Sequence, residues 1–287
     1  MSERILIIGA GNVGRGLFRA FRASGGVEVL GLHGRKPSPY ATSSGALPET
    51  LSDANTIVVA VRDDQIDGAL AELIGEVGSG GRRRVASGTA IVHTSGGAEP
   101  ALIPRLGEIG LSGGTFHPLV PFANTDRAPE LLRRAWIGID GDDHARATSR
   151  RLAGHLGSRT LEIPAGGKAV YHAAAVMSSN FPVVLAAVAG RLLTDLGIPE
   201  RSARHAVHSL MEAAVSNIAE APPSDALTGP VVRGESDTVL RHLTALRGDP
   251  EARALYRRLS LAALEIAAGR GANPARLEEI QRLLLLR

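Results

Sequence analysis

The sequence predicts an α/β protein, a doubly wound parallel sheet over residues 1–164 followed by an all-helical domain over residues 165–287. Three observations predict it. The chain opens on an apolar run, Arg4–Ile8, that passes straight into G-x-G-x-x-G at residues 9–14. Short β-branched runs then alternate with helical periods as far as Ile163. From Ala165 onward no convincing strand follows, only helical periods with cap signals.

Arg4–Ile8 reads as a buried strand and residues 17–23 as the helix after it. In that setting each glycine has a mechanical part. Gly9 permits the tight turn, Gly11 lets a pyrophosphate approach the backbone, and Gly14 lets the helix pack close to the sheet. The helix N-terminus offers unpaired N–H groups to phosphates. Gly9, Ala10, Gly11, Asn12, Val13 and Gly14 are therefore candidate dinucleotide contacts; a plain strand–turn–helix is the alternative. Residues 27–32 read as the second strand, ending in His33-Gly34-Arg35-Lys36. A site for NAD usually carries an acidic residue about twenty positions past the glycines. Two adjacent cations stand here instead, which suits a 2′-phosphate and points to NADP(H), with His33, Arg35 and Lys36 as contacts. A solvated turn with surface charge is the alternative.

Residues 38–46 form a Pro/Ser/Gly-rich loop. Residues 56–61 are the next buried strand, ending at Arg62-Asp63-Asp64, with a helix over 65–76. Val61 and Arg62 lie at that strand end. Ala90–His93 is a strand running into Thr94-Ser95-Gly96-Gly97, and residues 114–117 are a short strand leading into Pro118. Residues 136–140 and 159–163 read as strands flanking a helix over Asp143–Leu156. In the helical half, residues 173–190 are weakly apolar but contain Ser178-Ser179-Asn180 and Pro182. That stretch reads as a buried helix pair or a kinked helix rather than a membrane span. Gly197 ends one helix and Pro199 opens the next, while Asp249-Pro250 and Asn273-Pro274 each read as an N-cap followed by proline. There is no internal repeat.

At 287 residues and 44% hydrophobic content the chain is long enough for two domains with a core. Net charge is +3, aromatics are 3%, and no cation run is interleaved with them, so nucleic acid is not an expected partner. There is no cysteine, hence no disulfide, thiol nucleophile or thiolate metal site. The apolar run before Gly9 is too short for a signal-peptide core, and the expectation is a soluble, cytoplasmic protein without membrane contact. Of 32 basic residues only Lys36 and Lys168 are lysines. Where arginine serves everywhere else, a retained lysine is a candidate for chemistry that needs a releasable proton.

Ligands of open α/β sheets gather at the carboxyl ends of the strands, where strand order reverses. Ser95 and Gly96 are therefore candidates for contact with substrate or nicotinamide, and Ser95 reads equally well as a turn former. His117 sits at another strand end, where its ring either takes part or packs on the loop. Lys168 and His172, four apart, share a helix face that Ser179 continues, with Asn180 towards its edge. A buried Lys168 would donate a proton with its pKa lowered towards neutrality, helped by His172; a first-turn surface cation is the alternative. Arg233, in the Gly/Pro-punctuated segment 227–234, would clamp a substrate carboxylate or else lie in solvent. His93, His117 and His172 lack metal-ligand spacing, so no metal is expected.

Together these motifs resemble a known set. The fingerprint, V-x-D-D at 61–64, H-T-S-G at 93–96, H-P-L at 117–119, K-A-V-Y-H-A-A-A-V from 168, S-N at 179–180 and L-T-G-P-x-x-R-G at 227–234 are similar to bacterial two-domain proteins in which a Rossmann-like domain precedes domain of unknown function 2520. The resemblance implies a 6-phosphogluconate dehydrogenase-like fold, with ketopantoate reductases, β-hydroxyacid dehydrogenases and pyrroline-5-carboxylate reductases as relatives. In the first two a helix lysine is followed four residues later by asparagine. Lys168 matches that lysine, but His172 stands at the asparagine's position. The resemblance also implies a homodimer through the helical half, whose Leu283–Leu286 end would suit an interface. The expected function is NADPH-dependent reduction of a small carbonyl compound, a 2-keto acid such as 2-dehydropantoate first. An imine of the pyrroline-carboxylate kind, or a non-catalytic NADP(H) sensor, is the alternative.

Overall fold

A computed structural model describes residues 2–77 and 85–286. Its sheet has eight strands: β1 (Arg4–Ile8), β2 (Glu28–Gly34), β3 (Ser43–Ser44), β4 (Thr56–Val59), β5 (Ala90–His93), β6 (Ser112–Pro118), β7 (Trp136–Gly141) and β8 (Arg159–Glu162). They lie in the order β3-β2-β1-β4-β5-β6-β7-β8. The sheet is doubly wound, as expected: from β1 the chain builds outward one way through β2, then returns to β4 and builds the other way. One step departs from the parallel expectation. β7 runs antiparallel to β6, with Gly114 opposite Gly141 and Pro118 opposite Ile137. Between them the chain makes only a turn and a short helix, α4 (Ala128–Leu132), instead of crossing the sheet, so the strand returns in the opposite sense. The two-residue β3, inside the loop 38–46, had no signal in the sequence.

Helices cover both faces, as near-continuous apolar strands require. α1 (Asn12–Ser24) and α5 (Asp143–Leu156) pack Leu17, Phe21, Leu152 and Leu156 against Ile5, Ile7, Val58 and Phe116. α2 (Ile66–Val77) and α3 (Ile103–Glu108) pack Ile66, Leu70, Leu73 and Leu106 against Leu6, Ile57, Val59 and Ile91. Full burial of each such side chain contributes about 1.5–3 kcal/mol.

After β8 the described chain is wholly helical. α6 (Lys168–Asp195), α7 (Glu200–Glu220), α8 (Pro223–Ala226), α9 (Ser236–Ala245), α10 (Pro250–Gly269) and α11 (Pro274–Leu285) follow in turn. The proline caps form as read, with Asp249 accepting from the Ala252 N–H and Asn273 from Ala275 and Arg276. Val239, Leu243, Ala267, Ile280 and Leu284 form a separate core.

Two compact units divide at Asn180/Phe181, inside α6. The compositional change lies earlier, at 164/165, because the first turns of α6 pack on the sheet.

α6 overturns the helix-pair reading of 173–190. It is one continuous helix running through Pro182, and Lys168 is its one buried residue. Its length and mean hydropathy of 1.6 over 18 residues suffice to cross a membrane by composition alone, and none of that window is buried. The sequence reads this apolar stretch as a buried helix pair or a kinked helix; it forms a single helix, half-buried at Tyr171, His172, Ala175 and Val176 and exposed at Phe181, Val183 and Val184.

Candidate active site

The strand order reverses between β1 and β4, and there the glycine turn opens a cavity of about 480 Å³. Gly9 has φ +118°, and a Cβ on it would collide with the Ala60 carbonyl. At Gly14 a Cβ would strike the Gly9 carbonyl, so the helix sits as close to the turn as a backbone allows. Gly11 is different, since a Cβ there would meet nothing within 4 Å and would project into open space. α1 begins at this point with no side-chain cap and no acidic residue in its first turn. Its N–H groups and the positive end of its dipole are left for an anion.

Of the residues expected to hold a dinucleotide, Gly9, Ala10, Gly11, Asn12, Val13, His33, Arg35, Val61 and Arg62 line this cavity. Gly14 acts from behind, through packing. Lys36 lies beside Arg35 without lining the cavity, and both are exposed. His33 is buried with Nδ1 3.0 Å from Ser43 Oγ, and burial lowers its pKa. The far end of the cavity is Thr94 and Ser95. Ser95 does form a turn: its Oγ accepts from the Gly97 and Ala98 N–H groups at 3.2 and 2.9 Å. Among the described residues its own hydroxyl proton has no acceptor.

Beside that turn a buried cluster is assembled by two periodicities. Thr115 and His117 alternate onto one face of β6, while Lys168, Tyr171 and His172 share one face of α6. His93 pairs with Thr115 across the sheet. Lys168 is 2% exposed, and its Nζ lies 2.7 Å from Thr115 Oγ1 and 3.2 Å from His93 Nε2. His93 Nε2 is in turn 3.1 Å from Thr115 Oγ1, and His93 Nδ1 accepts the Ser95 N–H at 3.3 Å. With Nδ1 accepting, the neutral ring carries its proton on Nε2, which suits an amine lone pair on Lys168 better than an ammonium. Burial acts in the same direction and brings Lys168 down to about 8, against the opposing pull of Asp140, Glu99 and Asp63. Burial and then the Lys168 charge hold His93 down to about 3.

His117 and His172 close on the other side of the turn. A Cβ at Gly96 would lie 2.6 Å from His117 and 2.7 Å from His172 Nδ1, so the wall they flank is a bare backbone. The two rings meet edge to face at 5.8 Å. Tyr171 Oη lies 2.8 Å from His117 Nδ1, and a Cβ at Gly138 on β7 would occupy the place of that hydroxyl. Burial, then His172 and Lys168, push His117 down to about 4; burial alone raises Tyr171 to about 12. A second cavity of about 530 Å³ opens here, lined by His117, Tyr171, His172 and Asn180 among others.

The first unit thus brings Lys168 and Ser95 to His93, and His117 to His172. Asn180 stands at the far end of the second cavity, its Oδ1 accepting from Ser179 Oγ at 2.8 Å. Arg233 belongs to the second unit, where its guanidinium forks onto both carboxylate oxygens of Glu235. The reading missed Thr115 and Tyr171. Thr115 follows Ser112-Gly-Gly in its strand, and period-2 alternation places it with His117. Among the described residues no three potential ligands stand close enough to hold a metal ion.

Residues 135–263 match the family model described as Domain of unknown function (DUF2520), so the chain carries that domain in its C-terminal region. No curated protein sequence matches the chain. Among solved structures, protein TM1727 from Thermotoga maritima is 23% identical with a TM-score of 0.69, covering 92% of this chain and 98% of its own. A Plasmodium falciparum pyrroline carboxylate reductase with NADP bound is 13% identical with a TM-score of 0.59, covering 98% of both chains. An imine reductase variant from Myxococcus stipitatus, in complex with NAD+, is 20% identical with a TM-score of 0.56, covering 99% of this chain and 100% of its own. At these identities the likeness shows the shared fold.

Proposed function

We propose that this protein is an NADP(H)-dependent oxidoreductase that reduces the C=O or C=N group of a small molecule. The observation that carries the reading is the first cavity. It begins at an uncapped helix N-terminus with open space over Gly11, passes His33 and Arg35, and ends at Thr94 and Ser95. The likeness to reductases bound to NADP and NAD+ supports it. When bound, the reduced nicotinamide supplies a hydride. The chain's own residues do the rest. The turn and α1 would hold the diphosphate, Arg35 with Lys36 would answer the 2′-phosphate, and the Thr94–Ser95 end would receive the nicotinamide. Lys168, with Thr115 and His93, holds a proton that can leave near neutral pH.

Titration of the purified protein with both coenzymes, followed by nucleotide fluorescence, is the direct test; no saturable binding of either would remove the reading. Arg35→Ala should weaken NADPH by about tenfold or more while NADH changes far less, because only the former loses a charge-assisted contact. Equal loss for both would show that Arg35 does not read the 2′-phosphate. A 2-keto acid such as 2-dehydropantoate is the first substrate to assay. A cyclic imine is the second, supported by the imine and pyrroline carboxylate reductases among the neighbours.

We further propose a homodimer through the helical part. Phe181, Val183 and Val184 on α6 and Leu210, Val215 and Ile218 on α7 are all at least half exposed in one chain. An apolar surface of this kind marks a contact face. Sedimentation equilibrium should give twice the chain mass, with Val184→Glu shifting it towards the monomer. A wild-type monomer at tens of micromolar would exclude the interface.

A further inference from the structure

The second cavity, which Tyr171 helps to line, shares no lining residue with the first. The cavity's walls are largely apolar, with Pro118, Leu119, Val120, Leu161, Ala175 and Val176, and its polar groups gather at two places, one where His117, Tyr171 and His172 meet and one at Ser178, Ser179 and Asn180. Such a space, apolar with a few converging polar groups, is the usual form of a small-molecule site.

The hydrogen-bond arithmetic where His117 and Tyr171 meet has one best solution. Tyr171 Oη has His117 Nδ1 as its partner at 2.8 Å, and no other acceptor among the described residues. If His117 Nδ1 carried the ring proton, it would donate to the tyrosine oxygen and leave the phenolic O–H with nothing to bond. If Tyr171 donates instead, both groups are satisfied and the neutral ring carries its proton on Nε2. Nε2 has no protein partner among the described residues and is not among the buried unpaired atoms, so it remains open to a ligand. Tyr171 reaches this position because β7 has glycine at 138, where any side chain would take the hydroxyl's place. The strand thus provides a notch for one oxygen.

We propose that this second cavity is the substrate pocket, taking a small molecule that carries a carbonyl or imine on an apolar body. His117 is the donor to its acceptor atom, and Tyr171 is the positioning residue that fixes the His117 tautomer. The inference rests on the reductase reading for the identity of the reacting group. A neutral imidazole in this place works as a hydrogen-bond donor that polarises the double bond and keeps its own proton. Its neutrality follows first from burial and then from His172 and Lys168 beside it, which together outweigh the opposing charge of Asp63.

The test uses the full-length protein with 15N-labelled histidine, read by long-range 1H–15N correlation at pH 7.5. His117 should show a single tautomer with the proton on Nε2. Tyr171→Phe should turn it into a mixture, and Gly138→Ala should do the same by displacing the hydroxyl while leaving residue 171 a tyrosine. Titration with 2-oxo-3-methylbutanoate should then shift the His117 Nε2–H resonance saturably in the wild type and at least threefold more weakly in Tyr171→Phe. A wild-type His117 protonated on Nδ1, or no change in either variant, overturns the positioning role. Absence of any keto-acid shift overturns the pocket. None of these readouts needs nucleotide, so a protein that fails to bind NADPH yet shows the tautomer and the shift loses the reductase reading alone.

Discussion

Gly11→Ala should leave the protein folded and weaken its proposed nucleotide binding, whereas Gly14→Ala, three residues on, should strongly destabilise the fold. The two substitutions add the same methyl group to the same turn. At Gly11 the backbone is already extended, with φ −73° and ψ −174°, which any residue adopts, and the new Cβ meets nothing within 4 Å. The stability change should stay within about 1 kcal/mol. The methyl nonetheless enters the space a diphosphate must fill, and NADPH affinity should fall by about 10- to 100-fold. At Gly14 the methyl is driven into the Gly9 carbonyl, and neither backbone can retreat. A loss of about 3 kcal/mol or more is expected, at the upper end of overpacking costs. Urea denaturation alongside a coenzyme titration separates the two. If Gly11→Ala binds NADPH like the wild type, the open space over the turn is not the diphosphate site.

Lys168→Met should make the protein more stable and less active. A lysine brought from 10.5 to about 8 by burial carries a penalty on the order of 3 kcal/mol on its charged form. Its neighbours, a threonine hydroxyl and a histidine ring, are neutral and return only part of it. The folded pKa lies below the unfolded one. Between about pH 8 and 10.5 the unfolded chain therefore holds a proton that the folded chain has released, and wild-type stability from this residue rises with pH across that window. The full cost is present below pH 8. Methionine should accordingly gain about 1–3 kcal/mol at pH 7, with the gain shrinking towards pH 10.5. Turnover should fall by about 10²–10⁴-fold, the usual worth of a positioned proton-transfer group, and the wild-type pH–rate dependence near pH 8 should flatten. Unchanged turnover with a retained inflection near pH 8 would remove Lys168 from the chemistry.

Much of this was legible in the sequence because it rests on local periodicity. The opening strand, the glycine turn, Ala90–His93 and Asp143–Leu156 are fixed by short-range patterns and appear where those patterns place them. Lys168 stood out through composition, as one of two lysines among many arginines. The antiparallel step at β7 was hidden because strand direction depends on how the chain returns, and residues 136–140 read alike in either sense. The exposure of α6 was hidden for a related reason: hydrophobicity shows that a face wants cover and says nothing about which chain provides it. Tyr171 and Gly138 are the hardest case. A glycine in a strand and a tyrosine on a helix, 33 positions apart, carry no shared signal until the fold places a hydroxyl where a methyl would have been.

The scarcity of lysine has a practical outcome at the bench. Lys168 is sealed and its amine is engaged on both sides, while Lys36 stands in solvent next to Arg35 at the rim of the first cavity. An amine-directed fluorophore should therefore attach at one side chain, apart from the α-amine, without any engineered cysteine. That dye would sit at the mouth of the compartment whose occupancy one wishes to follow.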